Sequence, residues 1–391
     1  MTRREMLLGM PAFLQNRRQR TIVFMIDGLG PEYIAASTMP VLAGWQRKGI
    51  SKFVSDVMPS VTNANNTSIC CGTWPEEHGI TANFYLDEAT GREEYMEDAS
   101  LVLRPTLFER AAKAGVESAL LSSKKKTTAL LPRGAKIVVA AESPSLEWVE
   151  RLGAAPDIYS AAINHWLLKA AVWILRNRPE IGVLYIHTTD YPMHMWAPES
   201  AESRAHLAQL DALFGEIAAA APDATILLTA DHGMHHKSHC WDLEKACAAR
   251  GVALRSAISA EQDKYLKHHR GFGGTAWVYL KSPRDADRAA RAIGGLRGVQ
   301  HVYTRTEAAR RFRLMPSRIG ELVVLGDRDT VFGSLDAEFE SLPPEYRSHG
   351  GLSESRVPLV VYNVERAPAK SYFQHNLDLA RWLFNGSRSS A

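Results

Sequence analysis

Three short apolar runs in this chain each close on an aspartate: TIVFMID at Asp27, GVLYIHTTD at Asp190 and ATILLTAD at Asp231. Continuous apolar runs rich in β-branched residues form strands covered on both faces, which is the condition of a parallel sheet packed between helices. Further runs of the same kind occupy 117–123 (ESALLSS), 136–142 (KIVVAAE) and 357–363 (VPLVVYN). Helical patterns lie between and after them, at 106–114, 157–176, 201–220 and 376–384. The expected fold is α/β with a mostly parallel central sheet, and in such sheets ligands gather at the carboxyl ends of the strands. The three aspartates therefore belong to one edge.

A chain of 391 residues that is 46% hydrophobic can bury the core such a sheet needs. From about 241 to 344 the order of elements changes and arginines multiply, with strand patterns at 275–280, 299–304 and 321–326 and helical ones at 284–293 and 307–312. This segment reads as a small inserted α/β cap beside the site, and residues 18–240 and 345–386 as the core it interrupts. Arg310, Arg311 and Arg313 read as a solvated helix face.

Lys and Arg exceed Asp and Glu by only three charges, which gives no electrostatic footprint for nucleic acid. The four cysteines, Cys70, Cys71, Cys240 and Cys247, match neither a disulfide framework nor a pair of zinc knuckles, so a reducing cytoplasm is expected. The opening MTRREMLLGMPAFLQNRRQR is basic with a short apolar stretch, but Pro11 interrupts it and no small-residue cleavage site follows, so it reads against a signal peptide. No apolar stretch is long enough for a membrane helix. Residues 387–391 read as a fraying tail.

Each polar motif has an ordinary structural explanation on its own. Asp27 begins an Asp-Gly turn, Asp190 and His194 have i, i+4 spacing, Asp231-His232-Gly233 leaves an apolar strand, and His349 sits in a glycine-flanked loop. Together they are three aspartates and three histidines at loop starts, and oxygen and nitrogen donors without thiolate are the ligands of hydrolytic two-metal sites. Thr62, in MPSVTNANNTSICCG, follows a strand-like run and opens a helical one, so its hydroxyl would stand at a helix N-terminus that favours an anion. A metal ion would activate that hydroxyl as a nucleophile. His78, His187, His235, His236 and His239 are expected to serve other roles than ligation.

In order, spacing and context these segments resemble the alkaline phosphatase superfamily, in the branch of nucleotide pyrophosphatase/phosphodiesterases and phosphonoacetate hydrolases. The resemblance runs from Asp27 through Thr62, Asp190, His194, Asp231 and His232 to His349. It implies a three-layer sandwich, one metal held by Asp190, His194 and His349, a second held by Asp27, Asp231 and His232, and Thr62 reaching toward the second. The ions implied are two divalent metals, zinc first, with manganese or iron also compatible with the donors.

Substrate class follows from the leaving group. A phosphonate must release a carbanion, which needs fixed cations where its charge spreads onto a carboxylate. In LLSSKKKTTALL, strand-like alternation would place Lys124 and Lys126 on one side and Lys125 on the other. Lys124 and Lys126 resemble the lysine pair of phosphonoacetate hydrolases, and Asn83 resembles the asparagine those enzymes place near the phosphoryl oxygens. Asn63 stands where the diesterases usually carry an aromatic residue, although Ala64 replaces a proline of the family pattern. The expectation is a cytoplasmic hydrolase that cleaves phosphonoacetate, or a closely related carboxylated phosphonate, to phosphate and acetate through a phosphothreonine. The alternative is a phosphodiesterase, nucleotide pyrophosphatase or phosphomonoesterase using the same metals. The partner is a small-molecule phosphonate or phosphate ester, with neither nucleic acid nor membrane, and a homodimer is compatible.

Overall fold

The structure, a computed structural model, describes residues 19–385 except 265, 266, 268 and 269. The opening segment read against a signal peptide and the tail at 387–391 lie outside the described residues, as do the outermost residues assigned to the core, 18 and 386.

Seven strands form the central sheet: β1 (Thr21–Met25), β2 (Ile50–Ser55), β3 (Glu117–Ser122), β4 (Ile137–Ala140), β5 (Ile181–His187), β6 (Thr225–Thr229) and β7 (Arg356–Tyr362), in the spatial order β2-β7-β6-β1-β5-β3-β4. β1 lies at the centre, parallel to β5 and to β6, with every residue buried. The sheet is mostly parallel as expected; the exception is β7, which runs antiparallel to both neighbours although its apolar run reads like those of the parallel strands. β2 precedes Thr62, where a strand-like run was expected, but its place in the sheet was not foreseen, because ISKFVS buries only Val54 and carries none of the continuous apolar character of an inner strand.

Helices cover the sheet. Among them are α1 (Thr62–Cys71), α2 (Lys125–Leu130), α3 (Ala162–Asn177) and α4 (Ala201–Ala220). α3 and α4 pack on each other, while α1 packs against helices Leu107–Lys113 and Asp378–Asn385. Leu167, Leu207, Leu210 and Phe214 join the strand residues Ile22 and Phe24 in one apolar cluster, which fixes the layers by burial.

A second, four-stranded sheet lies wholly within 254–326, in the order Leu254–Ser259, Thr275–Leu280, Leu322–Gly326 and Val299–Thr304. Its strand TAWVYL alternates: Trp277 and Tyr279 pack toward Val61 and Ala64 at the start of α1, whereas Ala276, Val278 and Leu280 pack toward helices Leu243–Ala249 and Ala286–Gly294. The insertion is thereby pressed against the segment that carries Thr62. Its two ends are drawn together where His235–His236 pairs antiparallel with Arg347–Ser348. Among the described residues no helix is long and apolar enough to cross a membrane.

Candidate active site

Asp27, Asp190 and Asp231 lie just beyond the carboxyl ends of the adjacent strands β1, β5 and β6, all three buried. Gly28 makes the turn after Asp27 at φ +74, and a Cβ there would lie 3.0 Å from the Cβ of Asp190, so only glycine lets these loops approach. Asp190 holds the N-cap position of the short helix Tyr191–Met195 without capping it, and the helix brings His194 back to the carboxylate with Nε2 2.9 Å from Oδ2. His349 Nε2 lies 3.6 Å from the same oxygen. His232 Nε2 stands 3.4 Å from Asp27 Oδ1 and 3.4 Å from Asp231 Oδ2. The six candidate ligands therefore converge, and the rings of His232 and His349 stack at 3.5 Å with 9° between their planes.

The histidine rings are oriented by the backbone. Nδ1 of His194 donates to the carbonyl of Arg347 at 2.9 Å, that of His232 to Gly233 at 2.9 Å and that of His349 to Ser60 at 2.7 Å. Each ring then turns Nε2, as a lone pair, toward the carboxylates, which is the tautomer a metal-binding histidine takes. Asp27 Oδ1, Asp231 Oδ2, His232 Nε2 and His349 Nε2 are buried without a hydrogen-bond partner. Four orphaned acceptors in one dry cluster fit a cation, since buried polar atoms otherwise find partners. Asp190, His194 and His349 form one group close enough to share an ion; Asp27, His187 and Asp231 form another, and Asp27, Asp190 and His232 a third.

Electrostatics agree with the geometry. Burial pushes His232 and His349 down to about 4, so both rings are neutral near neutral pH, the form in which a histidine can hold a metal. Burial and the adjacent Asp27 carboxylate raise Asp231 well above the usual carboxylate range. Burial and Asp190 also push Asp27 up, but Lys124 and His187 outweigh them and hold it below its ordinary value. The cluster carries more negative charge than its lysine offsets.

His187 is a residue that sequence reasoning set aside. It ends β5, and its Nε2 lies 3.1 Å from Asp27 Oδ2 while Nδ1 faces Ser122 Oγ at 2.9 Å. The signal was available: it precedes Thr188-Thr189-Asp190 at the end of the same apolar strand.

Thr62 is the first residue of α1 and is buried. Val61 holds the cap position and no side chain caps the helix, so the Thr62 hydroxyl is not used as a helix cap. Asparagines replace solvent around this helix. Asn66 donates from Nδ2 to the Thr62 carbonyl at 3.1 Å and accepts from the Tyr185 hydroxyl at 2.8 Å. The Asn63 amide donates to Asn83 Oδ1 at 3.0 Å, and Asn83 Nδ2 donates to Glu261 Oε2 at 2.9 Å. Asn83 thus sits beside the helix N-terminus with its amide orientation set on both sides.

Glu261 was also missed. Its Oε1 lies 3.2 Å from His349 Nε2, and burial pushes its carboxyl up to about 7. It follows strand Leu254–Ser259 in SAISAEQD, the same apolar-strand-then-acid form as the three aspartates, but without a histidine beside it.

Lys124 and Lys126 are both buried and Lys125 is exposed, for a reason other than strand alternation. β3 ends at Ser122, Lys124 caps α2, and Lys126 lies in its first turn. Lys124 Nζ bridges Asp27 Oδ2 at 2.6 Å and Asp190 Oδ1 at 2.7 Å, while Lys126 pairs with Asp263 from the insertion. Burial alone would lower both ammonium groups, but Asp190 and Asp27 raise Lys124, and Asp263 and Glu261 raise Lys126, so both stay charged. A cavity of about 150 Å³ opens beside them, lined also by Tyr159, Thr189 and Asp263.

Residues 21–350 match the family model of type I phosphodiesterase / nucleotide pyrophosphatase. The chain belongs to this family. Human ectonucleotide pyrophosphatase/phosphodiesterase family member 1 is 26% identical over 280 residues, 63% of this chain but 28% of that protein. Mouse bis(5'-adenosyl)-triphosphatase enpp4 is 24% identical over 233 residues, 55% of this chain and 47% of the relative. The chain thus spans less than half the length of these curated relatives. Among solved structures, phosphonoacetate hydrolase from Sinorhizobium meliloti 1021, in complex with phosphonoformate, is 29% identical with a TM-score of 0.83, covering 95% of this chain and 96% of that one. Murine ectonucleotide pyrophosphatase / phosphodiesterase 5 shares the fold at 16% identity, with a TM-score of 0.69 over 93% of this chain and 94% of that one. The fold is accordingly the alkaline phosphatase-like sandwich of this superfamily.

Proposed function

We propose that this protein is a two-metal hydrolase that cleaves the C–P bond of phosphonoacetate, or of a closely related carboxylated phosphonate, to phosphate and acetate in the cytoplasm. The observation that carries the reading is the pair Lys124 and Lys126, buried and charged at the edge of the aspartate-histidine cluster and lining one cavity there. The likeness to phosphonoacetate hydrolase at 29% identity supports it.

Asp190, His194 and His349 would hold one divalent ion and Asp27, Asp231 and His232 the other, with His187 against Asp27. When bound, such ions, zinc first among them, polarise phosphoryl oxygens and lower the pKa of a nearby hydroxyl. Thr62 Oγ forms the new bond to phosphorus as the C–P bond breaks, and the electron pair stays on carbon and spreads onto the substrate carboxylate. Lys124 and Lys126 neutralise that charge; the Thr62 hydroxyl gives up its proton to solvent on bonding phosphorus, and the carbon takes one up from solvent to release acetate. Asn83, fixed between Asn63 and Glu261, directs its amide toward the phosphoryl group. Water then displaces Thr62 Oγ from phosphorus and frees phosphate.

A second reading is phosphodiester or pyrophosphate cleavage. It is favoured by the family model and by an aromatic series beside the cavity, where Tyr159 and Tyr191 lie 6.1 Å apart and Tyr191 and Trp196 6.0 Å apart. Metal analysis combined with phosphate release from phosphonoacetate, set against turnover of a p-nitrophenyl phosphodiester, separates the two. A strong preference for the diester overturns the first reading.

A further inference from the structure

The insertion contributes two buried carboxylates to the site, Glu261 against Asn83 and His349, and Asp263 against Lys126. Asp263 is the one that faces the cavity. Its side chain is 1% exposed and that of Lys126 8%, so the pair meets largely out of water, where opposite charges interact strongly. The Tyr95 hydroxyl also donates to Asp263 Oδ2 at 3.2 Å, and the Lys126 ammonium lies 5.4 Å from the centre of the Tyr95 ring. Lys126 is therefore held between an acid and an aromatic face, and its charge is already countered before any ligand arrives.

We propose that Asp263 is a specificity-determining residue: by pairing with Lys126 it sets how strongly the cavity favours a leaving group that carries a carboxylate over one that does not. A carboxylate entering the cavity shares Lys126 with Asp263 and so gains only part of that cation's attraction. Lys124, committed to Asp27 and Asp190, gives the insertion no handle of this kind. Charge selection thus resides in the insertion and metal binding in the sheet. The inference rests on the cavity being the leaving-group site of the proposed reaction.

The test is direct binding, which does not depend on turnover. In metal-loaded Thr62→Ala protein, calorimetry gives the Kd of phosphonoacetate and of methylphosphonate, which lacks the carboxylate. Adding Asp263→Asn is expected to tighten phosphonoacetate by about tenfold, the order of one hydrogen bond to a charged group, with methylphosphonate unchanged. Asp263→Glu should restore the original ratio. If Asp263→Asn does not fold, Asp263→Ser carries the same comparison. An equal change for both ligands, or none for either, overturns the role of Asp263. Failure of the proposed reaction has a separate signature, the absence of phosphate release from phosphonoacetate by the unmodified enzyme.

Discussion

The wall of the site formed by the central sheet gathers three aspartates among histidines around one lysine, whereas the wall completed by the insertion sets Glu261 against Asn83 and His349 and Asp263 against Lys126. Asp27, Asp190 and Asp231 hang from three adjacent strands, and their positions follow from the sheet itself. Glu261 and Asp263 arrive on a separate sheet, and their positions depend on how it packs against Val61 and Ala64. The difference separates two tasks. A rigid edge suits ligands that must meet within a fraction of an ångström, and a packed insertion suits charges that discriminate among leaving groups.

Substitutions on the sheet wall should therefore damage every substrate, and those on the insertion wall only some. Thr62→Ala is expected to have the largest effect, roughly 10⁴-fold or more in kcat for phosphonoacetate and for a p-nitrophenyl diester alike. Residual turnover near the original rate would remove Thr62 as the nucleophile. Chelation should come next: loss of an ion present at a thousandfold its Kd removes about 4 kcal/mol of stability per site. That loss is read as a fall in the denaturation midpoint, recovered on adding zinc, and no change would argue against the cluster as a metal centre. Lys126→Ala, which removes the cation that Asp263 of the insertion pairs with, should then split the substrates, lowering kcat/KM for phosphonoacetate by about 10²-fold while leaving the diester within a fewfold. Equal losses would dissolve the distinction between the walls.

The smallest expected effect concerns pH. Burial, then Arg318, pushes His78 down to about 3, and its ring lies between Ser68 Oγ at 2.8 Å and the Ile80 amide at 3.1 Å. The unfolded ring, near 6.5, binds a proton that the folded ring refuses, so its stability contribution is complete above pH 6.5 and is lost as pH falls toward 3. The slope is at most about 1.4 kcal/mol per pH unit for this one group. Urea midpoints of chelated protein between pH 6.5 and 4.5 should show it, and His78→Gln should flatten it.

Much of the sheet wall was legible in the sequence because its signals are local. An apolar strand that ends in Asp, an i, i+4 Asp–His pair and an adjacent Asp–His pair each fit within nine residues, and the chain order links them. The strands at 21–25, 117–122, 181–187 and 225–229 follow from the same continuity of apolar residues. The antiparallel course of β7 was not legible, since an apolar run buried on both faces looks alike in either direction. His187 was hidden by being one histidine among several. Glu261 and Asp263 were hidden for a different reason: an acid becomes informative only when the partner that makes it costly to bury is known, and Asn83, Lys126 and His349 lie far away in the chain. Lys124 and Lys126 are both buried as alternation expected, but by a different periodicity, because the strand ends at Ser122 and a helix has begun by Lys125.

The short pairing of His235–His236 with Arg347–Ser348 has a consequence for how such a protein can diverge. It ties off the segment between them at its neck, next to His232 and His349, and residues 272–275 just past it hold the His349 loop, so chain added farther out need not move the ring stack. Lengthening a tied loop costs little, about 0.6 kcal/mol for each doubling when it is flexible. A lineage can therefore enlarge what lies past the neck while inheriting the aspartate-histidine edge intact.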